Sequence, residues 1–382
     1  MTEDGVPEEP ACGLGPSTQM SFYLKKYIEP DFSVSAFQAA PDAVLKPAPA
    51  DGVAPEDYHA MTIFPEYFKV SGKWLLAEES RMDSAAILEN GKVVTREFRH
   101  IKKDDSVFTG RSEDSKQGIF VHTNGFDDAP RGIDEYFAFR RSRSRETAFS
   151  MDYDFLYEQL KYEKEHGYIV WVLGPACTFD ADSRNAFSLL CANGYVHALL
   201  AGNALATHDL EASYKKTALG QDIYTQEIRP AGHYNHLDTI NRVRECGSIP
   251  AFIEKENISD GIMCNCVKHG IPYVLTGSIR DDGPLPEVYA DVYAGQDAMR
   301  AHIKKATTII SMATTLHSIA AGNIAPSFRV MSDGTIRQLY FYSVDISEFA
   351  ANKLGDRGSL SAKAIITNVQ DFIVHTSKNL LA

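Results

Sequence analysis

The feature that most constrains the fold is a series of continuous apolar runs, separated by helical stretches, that begins at Tyr168. The runs are YIVWVL, YVHALLAG, PYVLTG, TTIISMA and QLYFYSVD. Strands buried on both faces are apolar throughout, whereas strands of a half-exposed sheet alternate apolar and polar residues. Buried strands that alternate with helices therefore predict an α/β fold, in which a doubly wound parallel sheet carries helices on both faces.

The region before this pattern indicates a smaller β-rich domain. Between Ile63 and Val121, short apolar runs alternate with turn residues. The Asn90-Gly91 pair favours a tight hairpin because both residues tolerate positive φ. The spacing of DYDFLYEQLKYEKEHG predicts a linking helix, and FRVMSDGTIRQLYF predicts a further hairpin. We therefore expect a partly ordered extension, a β-rich domain with linker, and a catalytic α/β domain at residues 1–60, 61–150 and 151–382.

Composition narrows the classes of partner. The chain carries 38 Lys and Arg against 51 Asp and Glu, a formal net charge of −13, which argues against nucleic acid or an anionic membrane surface as partner. No apolar run approaches the ~20 residues of a membrane span, and the N-terminal segment lacks the features of a signal peptide. The six cysteines are scattered, as reduced thiols are, and one close pair, Cys264 and Cys266, does not make a metal site. We expect a cytoplasmic protein without metal that acts on a small molecule.

The predicted strands end in polar loops that contain glycine. Ligands of open α/β sheets bind beyond the carboxyl ends of the strands, where small residues let backbone N–H groups approach phosphate and a carboxylate can hold ribose hydroxyls. No G-x-G-x-x-G fingerprint is present, so a dinucleotide would be held in another way. The candidate cofactor-binding residues are Gly174, Pro175, Gly202, Asn203, Ala204, Thr276, Gly277, Ser278, His317, Asn323 and Asp345.

The candidate catalytic residues lie mostly in the loop LTGSIRDDGPLP and in the GHYNH segment. They are Arg280, Asp281, Asp282, His233, His236 and Asp209. Other interpretations remain open. The charged loop can be a solvated turn in which Arg280 pairs with a neighbouring carboxylate. Asn203 and Asp209 can be a helix cap and a first-turn charge. A histidine inside a helix, such as His208 or His317, is often a hydrogen-bonded structural residue.

Five segments resemble the archaeal-type ornithine cyclodeaminase family, once described as a conserved lysine-oxoglutarate reductase/saccharopine dehydrogenase (LOR/SDH) region. They are GNALATHDLE, AGHYNHLDTINRVRECGSI, GIMCNCVKHGIPYVLTGSIRDDGPLP, LHSIAAGNIAP and VDIS…KLGDRGS, within residues 60–382. The same family forms the C-terminal module of cyanobacterial arginine dihydrolase/ornithine cyclodeaminase enzymes. The resemblance implies a Rossmann-like, deoxyhypusine-synthase-like domain, NAD as cofactor, a homo-oligomer, and conversion of ornithine to proline and ammonia by internal hydride transfer.

This reaction needs a cation for the α-carboxylate, a base for the amine protons and exclusion of water. Arg280 can grip the carboxylate, and Asp281, Asp282 or Asp209 can serve as base or bind the distal ammonium. His233 or His236 can move protons near neutral pH.

The chain also departs from the family pattern. The family usually reads GPAVVHTGG after the first strand, and here Phe179, Asp180, Ala181 and Asp182 replace the His-Thr-Gly-Gly portion. If that loop contacts substrate, the substrate differs. The alternatives to an ornithine cyclodeaminase are therefore an NAD-dependent dehydrogenase or cyclodeaminase for another amino acid or amine conjugate, and a non-catalytic NAD-binding paralogue.

Overall fold

The computed structural model describes residues 23–127, 150–281, 283–347, 349, 352–353 and 361–382. Asp282 and most of the KLGDRGS segment lie outside the described residues. In the described part of the chain, no helix combines the length and the apolar character needed to cross a membrane.

The first half of the chain builds a mixed sheet. Within the described residues the sheet has seven strands in the order β1-β6-β4-β5-β3-β2-β7, preceded by the short helix α1, Ser35–Ala39. The strands are β1 (Val44–Pro47), β2 (Glu66–Val70), β3 (Lys73–Glu78), β4 (Ala85–Glu89), β5 (Lys92–Arg96), β6 (Ser106–Thr109) and β7 (Ile119–Val121).

The predicted hairpin at Asn90-Gly91 is confirmed. Glu89 pairs with Lys92, so Asn90 and Gly91 alone form the turn between them, with φ of 50° and 77°. One boundary needs correction, because β1 pairs with β6 and Ala48 is buried in the core of this sheet. The residues from about 44 to 60 therefore belong to the β-rich unit and not to an extension.

The second half builds the predicted parallel sheet. Within the described residues it has seven strands, all parallel, in the order β13-β12-β9-β8-β14-β17-β18. These strands are β8 (Ile169–Leu173), β9 (Ala198–Gly202), β12 (Tyr273–Thr276), β13 (Val288–Tyr289), β14 (Thr308–Met312), β17 (Tyr340–Asp345) and β18 (Ala362–Ile366). The short ribbons are β10 (Thr217–Ala218) with β11 (Gln221–Asp222), and β15 (Phe328–Val330) with β16 (Ile336–Gln338), which is the predicted second hairpin.

Helices cover both faces of this sheet. They are α2 (Ser150–His166), α3 (Ala181–Ala192), α4 (Asn203–Lys215), α5 (His233–Cys246), α6 (Ile249–Lys255), α7 (Ile262–Lys268), α8 (Val292–Ile303), α9 (Thr315–Ile324) and α10 (Val369–Leu381). Trp171 and its alternate neighbours in β8 pack with α2, α3, α4 and α10, whereas Val170 and Val172 pack with α8 and α9. The sheet is thus doubly wound, as the uninterrupted apolar strands predict.

Two details differ from the sequence prediction. The helix expected from VYADVYAGQDAMRAHIKK begins later, because Val288–Tyr289 forms an edge strand and Asp291 caps α8 by accepting the N–H groups of Tyr293 and Ala294 at 2.8 Å. Strand β18 was not predicted. Its burial is partial along most of its length, as befits an outer strand, and it lacks a fully apolar run.

Candidate active site

The centre of the sheet contains the point at which the direction of winding reverses. Strands β8 and β14 are neighbours, and the helices that follow them, α3 and α9, pack on opposite faces. Their carboxyl ends approach each other closely, since the N–H of Gly174 donates to the carbonyl of Met312 at 2.8 Å and a Cβ on Gly174 would lie 1.8 Å from the carbonyl oxygen of Ala313. Only glycine fits here. In open α/β sheets this reversal point is where ligands bind.

The helices beside this point differ in how their first turns are capped. Gly202 and Thr314 occupy the N-cap positions of α4 and α9, and neither has a side chain that accepts a backbone N–H of the first turn. By contrast, Asp180 caps α3 by accepting the N–H of Ser183 at 2.9 Å, and Asp182 adds a second carboxylate there. A free helix N-terminus attracts anions, whereas one already holding carboxylates does not. The N-termini of α4, with Ala204 in its first turn, and of α9 are therefore the uncapped ones beside this point.

His317 joins three of the strand ends. Its Nε2 lies 2.7 Å from Thr276 Oγ1 at the end of β12, and its Nδ1 lies 3.2 Å from Thr314 Oγ1 after β14. A Cβ on Gly202, at the end of β9, would lie 2.9 Å from the imidazole Cε1. Burial lowers the pKa of His317, so the ring is neutral at physiological pH. A neutral ring can donate one hydrogen bond and accept another, which suits its two hydroxyl partners.

Hydrogen bonds from backbone N–H groups fix the loop after β12, and this loop leaves an arginine exposed. The Asp281 carboxylate accepts the N–H of Ser278 at 2.8 Å, and the N–H of Gly277 donates to the carbonyl of Tyr289 at 2.9 Å. Further along, the Leu285 N–H donates to Asn203 Oδ1 at 3.0 Å. Arg280 is exposed and makes no ion pair with any residue that the structure describes. The pairing of Arg280 with Asp281 that a plain turn would have is therefore not seen, and Asp282 lies outside the described residues.

Asp345 ends β17, two strands from β8. It is half-buried, and its Oδ1 accepts the N–H of Ser347 at 3.1 Å. The turn that follows β8, Pro175–Thr178, contains the buried Cys177. Burial raises the pKa of the Cys177 thiol to about 12, and the negative charges of Asp180 and Asp345 raise this pKa further. Asp345 and Pro175 therefore flank the reversal point from opposite sides.

Three predicted residues are not brought to this edge. Asp209 is completely buried, its carboxylate lies 2.7 Å from Arg184 Nε, and it accepts the N–H groups that begin α7. These contacts are those of a structural anchor. Asn323 is the penultimate residue of α9, eight residues and therefore ~12 Å from the start of that helix. His233 is exposed at the start of α5, with its ring against Tyr234.

Sequence analysis missed two residues at the reversal point. Ala313 has φ of 53°, a left-handed conformation that costs a residue with a side chain about 1–3 kcal/mol and that clusters at functional sites. Thr314 occupies the N-cap position of α9, and its hydroxyl contacts His317 and caps no backbone N–H group. The signal was present, since Thr-Thr before a helical stretch is a helix-start pattern. Across the described residues, no group of three or more His, Cys, Asp or Glu side chains is arranged to hold a metal ion.

Comparison with known proteins confirms the resemblance. The family model of the arginine dihydrolase ArgZ-like C-terminal Rossmann fold matches residues 156–376. An ornithine cyclodeaminase of Methanopyrus kandleri is 38% identical over 339 residues, 88% of this chain and 78% of the relative.

Two solved structures are similar as well. A conserved putative LOR/SDH protein of Methanococcus maripaludis S2 superposes with a TM-score of 0.80 at 33% identity, covering 89% of this chain and 98% of that one. The ternary complex of AgrE, from Nostoc sp., with ornithine and NAD+ has a TM-score of 0.53 at 31% identity over 90% of this chain and 46% of AgrE. The expected Rossmann-like fold is confirmed, and the chain belongs to the archaeal-type ornithine cyclodeaminase family, whose members are NAD-dependent ammonia-lyases.

Proposed function

We propose that the protein is an NAD-dependent cyclodeaminase that converts ornithine, or a close diamino acid, into proline or its cyclic homologue and ammonia. The observation that carries the proposal is the edge of the parallel sheet, where two uncapped helix N-termini flank the reversal point and the exposed Arg280 follows the next strand. Its relatives include enzymes named ornithine cyclodeaminase, and one of them has been crystallised with ornithine and NAD+.

The residues present fit NAD. The free N–H groups at the starts of α4 and α9 suit the pyrophosphate, and Gly174 and Gly202 let Ala313 and His317 pack closely against the strand ends beside them. The half-buried carboxylate of Asp345 suits ribose hydroxyls. When bound, NAD would take up a hydride from Cα of the amino acid and return it at the end, so that no net oxidation occurs.

The protein's own groups would handle charge and water. Arg280 has a planar guanidinium that no described residue engages, so it can form a two-pronged pair with the α-carboxylate. Asp281 lies next to it and within electrostatic reach of His317. Its second oxygen can take the ammonium of the substrate. The neutral His317 would hold the ends of β12 and β14 at a fixed distance, which keeps these groups in place.

In the loop that departs from the family, the two carboxylates lie at the start of α3. Asp180 is engaged as the cap of α3 and Asp182 is exposed in the first turn of that helix. The exchange of residues therefore supports no change from a diamino acid to a different class of substrate. It leaves the length of the amino acid open, which the assay below addresses.

The test is to incubate the purified protein with NAD and either ornithine or lysine and to measure ammonia, the cyclic imino acid and NADH. Ammonia and proline without NADH are the expected products from ornithine. NADH in proportion to ammonia would mean a dehydrogenase, and the absence of all products with either substrate would favour an NAD-binding protein without this activity. When Arg280→Lys is measured in the same assay, Arg242→Lys provides its matched control, because Arg242 pairs with Glu245 and Glu256 on the surface.

A further inference from the structure

A completely buried carboxylate on α4 has no role in the site described above. Glu211 has an exposed fraction of 0%, and its oxygens accept hydrogen bonds from Thr217 Oγ1 at 2.7 Å and from the N–H groups of Leu219 and Gly220 at 3.1 Å. The remaining partner is His208, whose Nδ1 lies 2.9 Å from Glu211 Oε2. Three neutral donors hold this carboxylate rigidly, so the fourth interaction orients the imidazole.

The contact with Glu211 fixes the working nitrogen of His208. A carboxylate accepts, so Nδ1 of His208 donates to Glu211 and Nε2 is left for another partner. His208 is only 7% exposed, and the ring of Phe179 packs edge-on against it with centroids 5.9 Å apart. The ring is thus oriented from one side and shielded from water on another.

A second histidine faces the first one. The ring of His236, on α5, has its centroid 6.0 Å from that of His208. Its Nδ1 is buried and has no hydrogen-bond partner in the part of the chain that the structure describes. Buried polar atoms are nearly always paired, so an orphan one marks a place that a ligand or water satisfies.

The histidine pair lies beside the proposed active site. Phe179 directly follows the turn at the end of β8, and α4, which carries His208 and Glu211, begins at the end of β9. The pair therefore occupies the side of the reversal point at which β8 and β9 end, opposite Asp345. The hydrogen bonds described for the site involve neither histidine.

On this basis we propose that His208 and His236 are the proton-transfer pair for ring closure and ammonia release, with Glu211 as the positioning residue of His208. The inference rests on the proposed function. In this step the distal amine forms a bond to C2 of the protonated imine, and the π electron pair of the C=N bond moves to the α-nitrogen, which becomes an amine. One imidazole takes the proton that the attacking nitrogen loses, and the other supplies a proton to the α-nitrogen. The bond between C2 and the α-nitrogen then breaks, and ammonia leaves with the bonding pair. This step consumes no oxidant or reductant.

The experiment is a single-turnover reaction, with NAD-loaded enzyme in excess over ornithine, in which NADH and proline are followed together. The variants are His208→Gln, His236→Gln and Glu211→Gln. His302→Gln is the matched control, since His302 lies on the other face of the sheet and bonds to the Tyr168 hydroxyl at 3.0 Å. His236→Gln removes no hydrogen bond among the described residues, so it keeps the test informative if His208→Gln does not fold.

We expect proline formation in the two histidine variants to fall by ~100-fold or more, the usual scale of lost acid–base catalysis, while NADH forms and persists. Glu211→Gln should lose roughly 10-fold and also accumulate NADH, because a misoriented imidazole slows the same step. A merely structural role would lower NADH and proline formation equally, and that result would overturn the proposal. Proline formation within about threefold of wild type in both histidine variants would overturn it too. If the wild-type enzyme forms neither NADH nor proline, the proposed function itself fails.

Discussion

The replacement Asp209→Asn tests whether the buried carboxylate on α4 is an anchor or a catalyst. In the folded protein Asp209 is 0% exposed and Arg184 is 1% exposed, and the two lie 2.7 Å apart. Removing the charge of Asp209 leaves Arg184 with only the partly exposed carboxylate of Asp260, and breaking a buried ion pair from one side costs about 3–5 kcal/mol. Asn can still accept one of the two N–H groups from α7, so the loss of the ion pair dominates the result.

The expected result is a large fall in melting temperature. For a domain of this size each kcal/mol shifts the melting temperature by about 2–4 °C, so the variant should melt roughly 6–20 °C below wild type. Turnover per folded molecule should persist at a temperature where the variant is fully folded. Circular dichroism melts combined with the ammonia assay measure both quantities.

Asp260→Asn is the matched control. Asp260 also pairs with Arg184, at 3.1 Å, but its side chain is 35% exposed and Asp209 would remain to neutralise the arginine. A loss of at most about 1 kcal/mol is expected there. If Asp209→Asn melted with the wild type and yet abolished turnover, the anchor reasoning would be refuted and Asp209 would return as a catalytic candidate.

Four further predictions concern the strand ends and the assembly. Arg280→Lys should lower kcat/KM by roughly 10- to 150-fold with no change in melting temperature, because the exposed lysine keeps the charge but not the planar fork; a fall in melting temperature with unchanged turnover would contradict this. Asp345→Ala should weaken NAD binding by about 1–3 kcal/mol in calorimetry, and an unchanged Kd would remove the ribose role. His317 titrates at about pH 6.5 in an unfolded chain, and burial lowers its folded pKa, so the free energy of unfolding should decrease as pH falls below that value; His317→Gln should flatten this slope in urea titrations. The chain should be a homo-oligomer, and a monomeric mass by sedimentation at micromolar concentration would refute that expectation.

The layers of the fold were predictable because their cause is local. A strand buried on both faces is apolar at most positions: Ile169–Leu173 is apolar throughout, and Thr308–Met312 is apolar except at Thr308 and Ser311. The Asn90-Gly91 turn is equally local, since its positive φ values depend on these two residues alone. Strand β1 escaped prediction because it is an edge strand, where Pro47 is tolerated and burial is incomplete.

The candidate site was predictable in position and less so in detail. That loops gather at strand ends follows from a parallel sheet, but the contact of His317 with Thr276 joins residues 41 positions apart. The partner of Asp209 is likewise on another helix, so no local pattern distinguishes an anchor from a base. The sequence predicts Asn323 in a strand-end loop, whereas α9 continues through Gly322 and Asn323 to Ile324.

The absence of a G-x-G-x-x-G motif has a physical counterpart in how the helices are capped. That motif lets the first helix of the sheet bind pyrophosphate at its N-terminus, which must then be free of other anions. Here the first helix after the reversal point is α3, and Asp180 already accepts the N–H of Ser183 in its first turn. Because a second anion would be repelled at that position, we expect a dinucleotide to use α4 and α9, where glycine and threonine leave the N–H groups uncapped. Replacing Asp180 with Gly would therefore open a competing anion site at α3 and should not increase affinity for NAD. A gain in NAD affinity in that variant would show that the pyrophosphate lies at α3 after all.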